Sequence, residues 1–143
     1  MAKRILVPLD KSERSLSVLP LVRGVARDSG GTVRLLHVAR VPKERVADNG
    51  HVVAYASQEM ERVEASRLDY LREGECQLPG VPVESVVRFG DPVEEILREA
   101  DAFDADLIAL TDEDRGLLDH LRGSVADRVF HKADVPVLVL GSR

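Results

Sequence analysis

The chain has one cysteine, Cys76, and no tryptophan among 143 residues, with three phenylalanines and two tyrosines. A lone thiol closes no internal disulfide and builds no cysteine-based zinc site, so Cys76 is expected to be a buried or tolerated thiol. The shortage of aromatic rings excludes a row of base-stacking platforms. No Lys/Arg-rich run occurs, and a formal net charge of -5 opposes general binding of nucleic acid. Long apolar runs are also missing. The N-terminal MAKRILVPLD stops being apolar at Pro8, Leu9 and Asp10, too soon for a membrane span or a secretory leader. No membrane insertion is expected, and a cytoplasmic location is the default. Four histidines, His37, His51, His120 and His131, show no metal-ligand spacing.

What is present is ordinary for a folded domain. Hydrophobic residues make up 44% and charged residues 31% of the chain, the latter mixed in sign. The length suits one α/β domain over residues 1–143, large enough to bury a core without staples.

Arg4 to Pro8 reads as a buried strand feeding a loop. Ser12 is placed to cap a helix whose apolar face is Leu16, Leu19, Val22 and Ala26, with Pro20 expected to kink it and Gly30-Gly31 to stop it. Val33 to Ala39 is nearly all apolar, as in a strand covered on both sides. Arg40 to Gly50 has no period and reads as a mobile connection. A long charged helix is expected from Val53 to Glu75, with Met60, Val63, Leu68 and Leu71 as a sparse stripe. Val83 to Phe89 alternates like a strand nearer an edge, and Asp91-Pro92 is a cap followed by a favoured first helical residue. Leu107 to Leu110, Ser124 to Lys132 and Val135 to Leu140 complete the series as strand, helix and strand.

Strict β-α alternation with helical crossovers requires parallel strands and right-handed connections. The expected architecture is a three-layer α/β sandwich around a five-stranded parallel sheet. In such sheets ligands bind beyond the carboxyl ends of the strands, where strand order reverses. The loops after the first strand (Leu9, Asp10, Lys11) and after the fourth (Thr111 to Arg122) should flank that crevice.

The second of these loops contains a contradiction. Gly123-Ser124 opens a helix, and a helix N-terminus favours an anion. Yet Asp112, Glu113 and Asp114 stand where a phosphate loop would want glycine. Ser124 has no Gly-x-Ser-x-Gly elbow around it, so a helix cap or an anion donor explains it better than a nucleophile. Receiver domains of response regulators share the architecture, but they need paired acids after the first strand and a lysine after the fifth. Here Asp10 stands between Leu9 and Lys11, and the fifth strand ends in Leu140-Gly141-Ser142.

Five segments, ILVPLDKSERS, LLHVA, GDPVEEILREADAFDADLIAL, RGLLDHLRGSVADRVFHKAD and VPVLVL, together resemble the universal stress protein family in wording and order. The resemblance implies a parallel sheet of order 3-2-1-4-5 and a homodimer made through the last strand, Val135 to Leu140. Some members bind ATP through Gly-x2-Gly-x9-Gly-[Ser/Thr] after the fourth strand. It implies a candidate nucleotide site at Asp10, Val38, Gly116, Gly123 and Ser124. The first two motif glycines are lost, falling at Thr111 and near Asp114, and the loop is one residue short.

Glycine in such a loop permits positive φ and close approach of N–H groups to phosphate. Aspartate adds a Cβ and a charge, and one carboxylate–phosphate repulsion at about 6 Å costs roughly 3 kcal/mol at an effective dielectric of about 20. Arg115, Arg122 and Lys11 offset part of this. The balance favours no cofactor and a stress-response regulator with protein partners, not binding ATP through the usual loop. The alternative is a nucleotide switch or slow ATPase, with Mg²⁺ held by Asp112 or Asp114 beside the phosphates.

Overall fold

A computed structural model describes residues 3–42, 45–46, 52–54, 56–112 and 123–141. Five parallel strands form the sheet: β1 (Arg4–Pro8), β2 (Thr32–Ala39), β5 (Val83–Phe89), β6 (Leu107–Thr111) and β7 (Val137–Leu140). Their order is β5-β2-β1-β6-β7. Counted along the chain without the small ribbon noted below, this is the expected 3-2-1-4-5.

The centre of the sheet is apolar because both its faces are covered. Ile5, Leu6 and Val7 of β1 are all fully buried, and they divide between two cores. Ile5 and Val7 join Val22 and Ala26 of α1 (Leu19–Ser29) and Leu71 of α2 (Ala56–Cys76). Leu6 turns the other way, toward Ile96 and Phe103 of α3 (Pro92–Phe103) and Val129 of α4 (Val125–Lys132). The alternation of strand side chains thus sorts the helices into two outer layers.

Helix ends follow the sequence signals closely. The Asp91 carboxylate accepts the Glu94 N–H at 3.0 Å, with Pro92 in the first turn behind it. Ser124 Oγ accepts the Asp127 N–H at 2.8 Å. α1 stops at Gly30, whose φ of 67° is left-handed.

Three boundaries differ from expectation. Pro20 does not kink a helix: a 3-10 turn over Arg14–Val18 precedes α1, and Pro20 falls in the first turn, where its missing N–H has no partner to lose. Ser12 accordingly caps the turn, its Oγ accepting the Ser15 N–H at 3.1 Å. Two very short strands, β3 (Arg45–Val46) and β4 (Val52–Ala54), pair antiparallel within the stretch read as connection and helix start, so α2 begins at Ala56 and not Val53. β7 begins at Val137, two residues later than Val135.

Candidate functional site

β1 and β6 are hydrogen-bonded neighbours only at Ile5–Leu107 and Leu6–Ile108. Beyond that pair each turns to its other neighbour, β1 to β2 and β6 to β7. The result is an open cleft of about 610 Å³ at the carboxyl ends of the strands, where the order reverses. Val125 and Ala126 bring in the start of α4, and Pro92 and Ile96 that of α3.

Asp10 and Val38 both line this cleft. Asp10 is shaped by local chemistry: its Oδ1 accepts the Ser12 N–H at 2.9 Å and the Ser12 hydroxyl, an Asx turn. Val38 contributes main chain. The Leu36 carbonyl accepts the Leu9 N–H at 2.8 Å, so the peptide groups of Leu36 face β1. Two residues on, those of Val38 face the same way. β1 has ended at Pro8 by then, so the polar edge of Val38 faces the gap and not a strand.

Below the cleft runs a hydrogen-bonded chain that sequence reading missed. Tyr70 of α2 donates to the Ser12 carbonyl at 2.7 Å, and its hydroxyl lies 2.6 Å from Ser15 Oγ. Ser15 Oγ in turn accepts the Asp10 N–H at 3.2 Å. His37 Nδ1 is 2.8 Å from the Leu9 carbonyl, and its ring meets Tyr70 edge-on, centroids 6.4 Å apart. Burial holds the His37 pKa below the ordinary imidazole range, against the raising effect of the Leu9 hydrogen bond. The neutral ring therefore donates from Nδ1. Burial likewise raises the Tyr70 pKa, opposed by its bond to Ser15. His37 and Tyr70 thus hold the loop that presents Asp10. Tyr70 stands seven residues after Val63, a spacing that puts it on the stripe face of α2 but carries no sign of its hydroxyl's partners.

The phosphate end is less inviting. Gly123 has φ of 73°, which favours glycine, while a Cβ there would stand 3.1 Å from Asp127 Oδ2, the tip of an exposed side chain. Ser124 is buried and its Oγ is committed to capping α4. Each helix start at the cleft already has its own acids: Asp127 in the first turn of α4, and Asp91, Glu94 and Glu95 at α3. These neutralise much of the dipole that would attract an anion. Thr111 lines the cleft and donates to the Ser15 carbonyl at 3.3 Å. Gly116, Glu113 and Asp114 lie outside the described residues. Among the described residues no group of three or more His, Cys, Asp or Glu is arranged to hold a metal.

The family model for the universal stress protein family matches residues 1–141. The chain belongs to the universal stress protein family. No curated protein matches it significantly. Among solved structures, this family member is similar to the hypothetical protein MJ0577, studied for structure-based assignment of its biochemical function. That likeness has 25% identity and a TM-score of 0.80 over 99% of this chain and 96% of the other. A universal stress protein in complex with cAMP shares 19% identity, with a TM-score of 0.77 over 98% of this chain and 97% of the other. The universal stress protein from Archaeoglobus fulgidus in complex with dAMP shares 24% identity, with a TM-score of 0.60 over 96% of each chain. At these identities the last two likenesses concern the fold.

Proposed function

We propose that this universal stress protein is a regulator that receives an adenine nucleoside or nucleoside monophosphate in the β1–β6 cleft and does not hold ATP tightly through the loop after β6. The observation that carries this reading is that the Val38 peptide edge and the Asp10 carboxylate border one cleft of about 610 Å³. A peptide N–H and C=O side by side match the ring nitrogen and exocyclic amine of adenine, and a carboxylate matches ribose hydroxyls. The complexes of two structural relatives with cAMP and dAMP are in keeping with such a ligand. Against a triphosphate stand Thr111 and Asp114 in place of glycines, and the acids at both helix starts. The regulator acts as a homodimer paired through β7 and signals to protein partners.

A second reading, a Mg-ATP switch, draws on one feature. Asp112 Oδ1 is buried with no hydrogen-bond partner among the described residues, and a carboxylate oxygen so placed suits a cation beside phosphate.

Calorimetric titration of nucleotide-stripped protein with AMP, cAMP and ATP plus Mg²⁺ separates the two. Saturable micromolar binding of a monophosphate, with ATP at least tenfold weaker and improved by Asp114→Gly, is the expected result. Tight stoichiometric Mg-ATP establishes the switch instead, and silence toward every nucleotide overturns both.

A further inference from the structure

A second groove, of about 740 Å³, opens beside Asp10, between the end of β2 and α2. It shares Asp10, His37 and Val38 with the nucleoside cleft, so the two are continuous. Its charged lining is otherwise cationic: Lys11 from the loop after β1, Arg40 from the end of β2 and Arg67 from α2. The side chains of these three residues make no ion pair among the described residues. The one carboxylate nearby, Asp10, is engaged by Ser12.

Two details mark the groove as more than a solvated basic surface. Arg67 Nε is buried and has no hydrogen-bond partner among the described residues, although guanidinium donors so placed are normally paired. Lys11 has φ of 79°, a left-handed conformation that a lysine rarely adopts and that costs energy unless the surroundings impose it. The loop is held that way by the Asp10, Ser15 and Tyr70 hydrogen bonds below it. Arg67 stands four residues after Val63 and four before Leu71, on the inward face of α2. It is partly buried there.

We infer that Lys11, Arg40 and Arg67 form a phosphoryl-anion site, and that a nucleotide in the adjoining cleft directs its phosphate here, over the end of β2, instead of toward the loop after β6. The nucleotide half of this inference rests on the cleft reading above; the anion site itself does not. A planar guanidinium with an unused N–H, beside two exposed cations, suits the tetrahedral oxygens of a phosphate group. The cationic lining supplies the charge preference that Thr111 and the acids following it in sequence withhold from the family's phosphate loop.

The test compares adenosine, AMP and inorganic pyrophosphate by calorimetry on the wild-type chain, Arg67→Gln and Arg40→Gln, with circular dichroism as the folding control. Arg40 is exposed, so its variant tests the site even if Arg67→Gln fails to fold. AMP is expected to bind at least tenfold more tightly than adenosine, with that margin falling several-fold in either variant while adenosine binding holds. Pyrophosphate binding that weakens in both variants supports the groove even if adenosine never binds, which would defeat the nucleoside reading alone. Equal affinities for AMP and adenosine, with no pyrophosphate binding, overturn the groove and leave the nucleoside reading standing. Variants that retain full preference for AMP overturn it as well.

Discussion

The Nδ1 of His37 lies 2.8 Å from the carbonyl oxygen of Leu9, so a side chain of β2 fastens the loop that leaves β1. That contact ties stability to pH. Burial holds the ring pKa below its ordinary value of about 6.5, so the folded protein keeps neutral an imidazole that the unfolded chain protonates. The unfolded state then binds more protons, and stability falls as pH drops below about 6.5 toward the folded-state pKa. Urea midpoints measured between pH 8 and pH 5 should decline through that window. His37→Asn, which keeps a donor near the Leu9 carbonyl and cannot titrate, should flatten this part of the profile. An unchanged slope would place the titration elsewhere.

Tyr70→Phe isolates the hydrogen-bonded chain beneath Asp10. The ring stays, but the Ser12 carbonyl loses one of its two donors, keeping that from Ser15 Oγ, and Ser15 Oγ loses a partner. The expected cost is about 1–2 kcal/mol by urea denaturation. Amide hydrogen exchange should rise at residues 10–15 more than in β1 or β6, because the bonds lost are local to the loop. Uniform faster exchange across the sheet would contradict that assignment.

Glu99 binds two guanidinium groups from adjacent strands. Its Oε1 meets Arg34 at 2.7 Å and its Oε2 meets Arg88 at 2.8 Å, with the Glu99 side chain only 3% exposed. Arg34 also reaches Glu84 and stacks 4.2 Å from the Phe103 ring centroid. Glu99→Ala should destabilise the fold by about 1–3 kcal/mol, since Arg34 keeps only its exposed partner Glu84 and Arg88 loses its acid. Adding Arg34→Met should recover part of this, and a double-mutant cycle on urea midpoints reads the coupling. Additive losses would mean that the pair is not coupled.

Much of this fold was legible because burial on two faces leaves a plain mark. Ile5 to Val7 is an apolar run and Val33 to Ala39 nearly one, and Asp91-Pro92 and Ser124 are helix starts with a visible mechanism. The β3–β4 ribbon was not legible, since strands of two and three residues are too short to show a period. At the site, Asp10 and Val38 were found through family resemblance, whereas Ser15, Tyr70 and Arg67 were missed. Their roles depend on how α2 meets the loop after β1, a tertiary contact. Only Arg67 left a trace, as a charge spaced four residues from both Val63 and Leu71 on the inward stripe.

The edge at β7 yields the prediction that bears on assembly. The Ile108 N–H donates to the Pro136 carbonyl and the Asp112 N–H to the Leu140 carbonyl, so the peptide groups of Pro136, Leu138 and Leu140 point inward to β6. Those of Val137 and Val139 therefore point outward, from a strand whose side chains are all half-buried. An apolar edge of this kind invites pairing with a second copy. Val139→Pro deletes an outward N–H and no bond of the chain's own ladder, which is where an edge strand tolerates proline. Light scattering at tens of micromolar should give a dimer mass for the wild-type chain and a monomer mass for the variant, with the near-ultraviolet spectrum retained. A dimer that survives Val139→Pro would move the contact away from the β7 ladder, and a wild-type monomer would remove it.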